Sequence, residues 1–387
     1  MADRPVRGTP GWLRETNDRT ALALLLEHGV LTRTRIGELS GLSKPTAAQM
    51  VSRLETAGLI HVVGEVSAGR GPNAAGYAVR TDRMLGVAVD IDAVSLRSTV
   101  VDAGGAEHPI AVTPLALPPQ PARTPEADLR LAIGAACAAA DVDAARVRAV
   151  CVGVQGALDP RTDELTYIET LPGWTERGIR RRLEDALGIA VLIDNDVNLA
   201  AVAERTEGAG ADTAGFALLW MGDGLGLAVD QTGAVHRGAS GGAGEIGYLP
   251  IPRSAAGLDP DAGDLQDLIG GPAVAALAAR HGLTDDLRGD DAATDTLVTA
   301  LAQRVAVGVV PVLALLDPEL VVLGGPTGAA FGDRLAQLVT AELRADWGER
   351  AVVATGVPTN PVLRGAREHL LGEVREALFD EVSRIAV

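Results

Sequence analysis

The sequence predicts an α/β protein in two parts: a small head of three helices and a β-hairpin, then a larger body in two α/β lobes. Three observations predict it. Residues 1–83 carry helical patterns bounded by cap residues and then change to strand patterning. The rest of the chain alternates strands with helices. Within that rest, one strand–turn–strand unit occurs twice, near residues 85–105 and near residues 216–233. A chain of 387 residues that is 47% hydrophobic has material for two or three cores.

In the head, residues 19–28 hold a continuous apolar stretch at 21–26 and stop at Gly29, a natural helix end. Thr34 is placed to cap a short helix over residues 35–39. Gly41 and Leu42 make a turn, and Ser43 caps a third helix that begins Lys44-Pro45-Thr46, where proline is tolerated. That helix turns Ala47, Val51 and Leu54 inward and leaves Lys44, Thr46, Gln49 and Arg53 toward solvent. Helix, glycine-containing turn, then a helix with a polar first face is the helix-turn-helix layout, whose second helix brings its N-terminal residues to base edges in the major groove. Ser43, Lys44, Thr46, Gln49 and Arg53 are therefore candidate DNA contacts. After Gly58 come two strands, residues 59–63 and 76–79, around a loop at 64–73. A hairpin with Arg70 at a glycine-flanked tip is a wing, and arginine there suits a phosphate backbone or a narrow minor groove. The alternative is a small helical docking module with merely solvated cations. Cap, turn, polar face and basic wing in this order favour double-stranded DNA.

Charge agrees with that division. The chain carries −17 overall, but residues 1–83 sum to +3 and the remainder to −20. A weakly basic head on an acidic body meets phosphates with one end and is repelled by them at the other. Two cysteines, Cys137 and Cys151, make neither a disulfide framework nor a metal cluster, and six scattered histidines show no metal-ligand spacing. No metal and no cofactor is expected. The longest apolar run, residues 305–316, contains Pro311 and is far short of the roughly 20 residues of a bilayer span, so it reads as a buried helix. With no secretory h-region after Met1, the expectation is a cytoplasmic protein without a membrane partner.

The body's repeated unit is residues 85–90, a tight loop, residues 96–101 and a glycine turn. It returns as residues 216–221, the loop Gly222-Asp223-Gly224-Leu225-Gly226, residues 227–229 and Gly233. One such hairpin heading each lobe is the plan of the actin-like kinases, which hold nucleotide phosphates between the two. Helical stretches at 127–139, 197–207, 271–281, 294–316 and 364–379 alternate with strands at 149–154, 191–194 and 320–323. The expected divisions are a head at 1–83, a small lobe at 84–200 completed by the C-terminal helix 364–387, and a large lobe at 201–363.

Six segments in order carry a resemblance. They are Leu171-Pro172-Gly173-Trp174, Asp194-Asn195-Asp196-Val197-Asn198-Leu199-Ala200-Ala201, the loop at 222–226, Arg237-Gly238-Ala239, Ala243-Gly244-Glu245-Ile246-Gly247-Tyr248, and residues 317–325, Asp-Pro-Glu-Leu-Val-Val-Leu-Gly-Gly. Through them the chain resembles the ROK family of repressors, open reading frames and sugar kinases, in its branch with an N-terminal winged helix-turn-helix. The resemblance implies an actin-like, sugar-kinase-like fold behind that head.

Departures from the family pattern shape the functional expectation. ROK kinases carry an Asp-x-Gly-Gly-Thr loop after the first strand, where bare backbone closes on phosphate. This chain reads Asp90-Ile91-Asp92-Ala93-Val94, and Asp223 stands in the second loop where the kinases have threonine. Two carboxylates facing a polyphosphate at about 4 Å each cost about 1 kcal/mol even at the dielectric of water. ATP binding and kinase activity are expected to be lost. The family's cysteine-rich zinc motif aligns with residues 257–266, which contain no cysteine, and Tyr248 replaces the family's histidine ligand. By resemblance, Asn195, Asp196 and Glu245 stand where the family hydrogen-bonds sugar hydroxyls. Tyr248 and Gln266 replace a histidine and a glutamate, with donor and acceptor capacity kept. Trp174 either stacks on a pyranose face or packs beside Pro172.

The resulting expectation is a repressor-type regulator, a homodimer or dimer of dimers on a palindromic operator. Its effector would be a sugar or sugar-derived ligand held by Trp174, Asn195, Asp196, Glu245, Tyr248 and Gln266. Two alternatives stay open: an ATP-dependent sugar kinase that also binds DNA, and an effector-independent regulator. Hexose phosphorylation abolished by Asp196→Asn distinguishes the first.

Overall fold

The computed structural model describes residues 9–66, 73–115, 123–166, 171, 173–174, 177–283 and 292–385. In the head, the Thr9 hydroxyl accepts from the Trp12 amide and opens α1 (Pro10–His28), which Gly29 ends at φ 74°. This helix starts at Pro10 and not near residue 19, because the Thr9-Pro10 pair supplies a cap and a first-turn proline. A two-residue strand, β1 (Leu31–Thr32), leads into α2 (Arg33–Ser40). The cap of α2 is Thr32, accepting from Arg35 N at 3.2 Å, and not the expected Thr34, which lies inside the helix. Gly41 turns the chain at φ 69°, and α3 (Lys44–Thr56) starts on Ser43 as expected. The wing strands are β2 (Ile60–Val66) and β3 (Ala74–Val79), antiparallel, with β1 on the far edge of β3. The head is a winged helix-turn-helix.

The first lobe comprises β4 (Leu85–Ile91), β5 (Ser95–Asp102), β6 (Ala111–Pro114), α4 (Pro125–Ala139), β7 (Val147–Val154), β8 (Ala157–Asp159), β9 (Glu164–Thr166), α5 (Ile179–Leu187) and β10 (Ala190–Asn195). Its main sheet runs β10-β7-β4-β5-β6. The helix α6 (Asp196–Glu207) follows and runs through residue 200, where the sequence reading divided the lobes. The second lobe holds β11 (Gly215–Met221), β12 (Leu225–Gln231), β13 (Ala234–Val235), α7 (Leu265–Ile269), α8 (Gly271–Arg280), α9 (Ala292–Leu316), β14 (Leu320–Gly324), α10 (Gly325–Trp347) and β15 (Val352–Ala354), in a sheet ordered β13-β12-β11-β14-β15. The repeat read in the sequence is visible as geometry. Each lobe has an antiparallel hairpin, β4–β5 or β11–β12, extended by a parallel strand, β7 or β14. The α9 helix is long and apolar enough to cross a membrane, but Leu297, Leu301, Val305 and Val309 are fully buried in this lobe's core. Cys137 and Cys151 are buried free thiols.

The last helix, α11 (Pro361–Ile385), joins the parts. Its first half packs Val362, Leu363, Ala366 and Leu370 under the first sheet beside Leu199 of α6. A Cβ on Gly365 would lie 1.8 Å from the Leu199 carbonyl oxygen, so only glycine allows this approach of the two helices. Its second half gives Val374, Leu378 and Val382 to the head's own core with Leu22, Leu25, Met50 and Leu54. Arg19 donates to Glu376 at 2.9 Å and lies over the Phe379 ring at 5.3 Å, and the Ser383 hydroxyl donates to Glu15. Sequence assigned this helix to the small lobe alone. It completes the head as well.

Candidate DNA interface and ligand cleft

The first turn of α3 is built as expected. Ser43 is exposed, its hydroxyl lies 2.8 Å from that of Thr46, and the Thr46 amide donates to it at 3.4 Å. Lys44 and Gln49 are exposed and make no hydrogen bond or ion pair among the described residues. Thr46 is half-buried. Beside them Arg33 lies over the Tyr77 ring at 5.1 Å, and Arg35 pairs with Glu38 at 3.1 Å. Arg70, the expected wing contact, lies outside the described residues.

Arg53 does not stand free. Its Nε donates to Asp18 Oδ2 at 3.0 Å, and a second guanidinium nitrogen donates to Oδ1 at 2.5 Å, tying α3 to α1. Asp18 is 2% exposed; burial pushes its carboxyl up, and Arg53 opposes the shift. Its chemistry is that of a buried ion pair, in which losing one partner strands the other. Arg53→Ala is expected to cost about 2 kcal/mol in urea unfolding, with part of the loss recovered in Asp18→Ala/Arg53→Ala.

The cleft between the lobes contains a cavity of about 370 Å³ whose walls include Gln155, Asn195, Asp196, Trp220, Glu245, Tyr248 and Gln266. It adjoins a second of about 420 Å³ bounded by Asp90, Asp92, Arg97, Asp223 and Asn360, and both share Gln155, Asp196 and Trp220. Strand β10 delivers Asn195 to the cap of α6, where its Oδ1 accepts from Asn198 N at 3.1 Å and its Nδ2 donates to the Gly156 carbonyl at 3.0 Å. Asp196 is the first residue of the helix, and the capping role belongs to Asn195. Glu245 is set by Gly244, at φ 94°, where a Cβ would fall 1.7 Å from the Leu227 carbonyl oxygen. Gln266 clamps the second loop: its Oε1 accepts from Leu225 N at 2.7 Å and its Nε2 donates to the Asp223 carbonyl at 2.9 Å. Tyr248 is 63% exposed at the rim.

Burial and the nearby charge of Asp90, with a further contribution from Glu245, push Asp196 up to about 7. Asp90 rises to about 6, mainly through burial, with Arg97 opposing. Burial also raises Glu245.

Two expectations need correction here. Trp174 is 0% exposed, sits in the first lobe's core and donates from Nε1 to Asp128 Oδ2 at 3.2 Å, so it offers no face to a ligand. The tryptophan on the cavity wall is Trp220, near the end of β11, with Tyr248 at the rim. Asp92, read as a bare charge, has a local use. Its carboxylate accepts from Val94 N at 2.8 Å, Ser95 N at 2.6 Å and the Ser95 hydroxyl at 3.0 Å, and Arg97 donates to it at 3.1 Å and to Asp90 at 3.2 Å. The loop therefore spends its own amides on its own anion, and a phosphate would have to displace a covalently tethered carboxylate.

In the stretch 257–266, Asp259 accepts from Arg304 at 2.9 Å and from Arg280 at 2.8 Å, while Asp264 caps α7 by accepting from Asp267 N at 2.9 Å. Arg304, 2% exposed, also donates to the Leu258 carbonyl at 2.8 Å. A buried arginine thus pins residues 257–266 through Leu258 and Asp259. Gln155, Trp220, Arg97 and Arg304 were not singled out in the sequence. Trp220, closing an apolar strand just before a glycine loop, was the one with a readable signal.

Comparison with known proteins places these features. A family model described as the ROK family matches residues 87–359, and one described as winged helix-turn-helix DNA-binding matches residues 14–61. A putative xylose repressor of Caldicellulosiruptor sp. (strain Rt8B.4) is 21% identical over 371 residues, 86% of this chain and 89% of that protein. An uncharacterized protein of Clostridium perfringens is 31% identical over 191 residues, 46% of this chain and 62% of the relative, so that match spans less than two thirds of the relative's length. The solved structure of a ROK family transcriptional regulator, described as a homolog of the E. coli MLC protein, superposes with a TM-score of 0.65 at 18% identity, over 97% of this chain and 98% of that one. Sugar kinases are also among the similar proteins.

Proposed function

This chain belongs to the ROK family, and from that premise we propose that it is a DNA-binding transcriptional repressor without kinase activity, governed by a sugar or sugar-derived ligand in the cleft between its lobes. The observation that carries the reading is the pairing of the exposed start of α3, with Lys44 and Gln49 toward solvent, with a first loop whose amides are already occupied by Asp92. Ser43, Lys44, Thr46 and Gln49 would meet base edges and phosphates, with Arg70 on the flank. Asn195, Asp196, Glu245, Tyr248 and Gln266 would line the ligand, and Trp220 takes the place first given to Trp174. The repressor name of one relative supports the direction of control.

A route for the signal is built into the packing. Asn195 and Asp196 form both the cavity wall and the start of α6, α6 lies against α11 at Gly365, and α11 ends inside the head's core. A ligand that binds one lobe arrangement more tightly than another would shift α6, and with it the head. In a homodimer, that shift changes the spacing of two recognition helices on a palindrome. The domains proposed are a head at 1–83 that borrows the end of α11, and two lobes meeting within α6.

The test is selection by the intact protein from a pool of random duplex DNA. One inverted repeat should be enriched. Enrichment of nothing would end the proposal.

A further inference from the structure

The charge lining the cleft narrows the ligand. The two adjoining cavities expose Asp90, Asp92, Asp196, Asp223, Glu245 and Asp264 against a single guanidinium, Arg97, among their described lining residues. Arg97 is already held between Asp90 and Asp92. Among the described residues, the cavity containing Glu245 has no Lys, Arg or His on its wall. The Glu245 carboxylate makes no hydrogen bond or ion pair among the described residues. Asp196 keeps one oxygen bound to the Val197 amide at 2.9 Å and has no cationic partner. The guanidinium of Arg237 is bound to Asp194 and lines a different cavity.

We infer that the cleft selects a polyhydroxylated ligand carrying a protonated amine, an amino sugar or a close analogue, and rejects phosphorylated and carboxylated sugars. This rests on the ligand-pocket reading above and deepens it. An ammonium beside Asp196 and Glu245 gains charge-assisted hydrogen bonds in a partly enclosed cleft. It also offsets the burial that raises both carboxyls above their ordinary range, to which the charges of Asp90 and then Glu245 add at Asp196. A phosphate or carboxylate meets only like charge there. The neutral hydroxyls of a sugar are still served by Asn195, Gln155 and the Tyr248 rim, which is why a polyol amine and not a bare cation is the fit.

The experiment is titration calorimetry on the full-length protein near neutral pH. Its panel contains 2-amino-2-deoxy hexoses of gluco, galacto and manno configuration, their N-acetyl derivatives, the parent hexoses and the hexose 6-phosphates. At least one amino sugar is expected to bind about tenfold more tightly than its own N-acetyl derivative and parent hexose, with no detectable binding of any 6-phosphate. Glu245→Gln should bring that ratio toward one. An N-acetyl sugar or parent hexose bound as tightly as its amine, or a 6-phosphate bound more tightly, overturns the charge inference while leaving the pocket intact. Binding of no panel member overturns the inference and the pocket reading together.

Discussion

Leu378→Asp is expected to abolish operator binding, although residue 378 lies far along the chain from the recognition helix. Leu378 is 0% exposed and packs with Val374 and Val382 into a core made mostly by α1, α2, α3 and the wing strands. An unpaired carboxylate in that position costs about 4 kcal/mol or more, a large share of what a small winged head can hold in reserve. Operator affinity should fall by about 100-fold or more as the head unfolds, while the lobes still melt as a separate, cooperative unit. Glu376→Ala is the control. Glu376 is exposed and pairs with Arg19 on the surface, so its loss should change stability by about 1 kcal/mol or less. A Leu378→Asp protein that binds DNA normally would mean that the head folds without α11.

The second large effect is expected at Glu204, 1% exposed near the end of α6. One carboxylate oxygen accepts from Ala209 N at 2.7 Å and Gly356 N at 3.2 Å; the other accepts from Val357 N at 3.2 Å and from the Thr355 hydroxyl. These bonds fasten α6 to the loop that leads into α11. Glu204→Ala strands several buried donors and should cost about 3–5 kcal/mol in urea unfolding. Glu204→Gln keeps an acceptor and should cost about half as much. Because the knot lies on the route from cavity to head, the alanine variant should also lose most of the difference between operator affinities with and without a bound ligand. A stable variant with that difference intact would place the coupling elsewhere.

The architecture was legible where the chemistry is local. Ser43 and Gly41 announce the turn and the start of α3, and the two hairpins announce the lobes, because caps, glycine turns and period-two strands need no distant partner. What sequence reasoning missed depends on distant partners. The first half of α1 is polar, with Arg14, Glu15, Thr16, Asn17 and Asp18, and shows no apolar stripe. Its partners are Arg53 on α3 and Ser383 on α11. For the same reason Arg53 looked like a solvent-facing contact. The short helix α5 spaces Ile179, Leu183 and Leu187 four residues apart, a helical period passed over among its arginines, whereas α10 opens on Gly325-Pro326 and is broken at Gly332 and carries no clean period.

The site divides in the same way. Asn195, Asp196, Glu245, Tyr248 and Gln266 come together on one cavity wall. Residue type alone could not tell that Gln266 spends its amide on the second loop, nor that the tryptophan on the cavity wall is Trp220 and not Trp174. The sequence set Asp92 against phosphate by its charge, and the structure shows its carboxylate on the loop amides. Repulsion was the argument from sequence, and occupation of the loop amides is the stronger one from geometry.

The central claim is that α3 reads DNA, and one comparison tests it most directly: the affinity of wild type and of Lys44→Ala/Gln49→Ala for the selected duplex at a single fixed salt concentration. Both side chains are exposed and support nothing in the fold, so the variant should melt like wild type. Each base contact is worth about 1–3 kcal/mol, so the account predicts a loss of at least about tenfold on the selected sequence and a much smaller loss on unrelated DNA. Unchanged affinity for the selected sequence would contradict it.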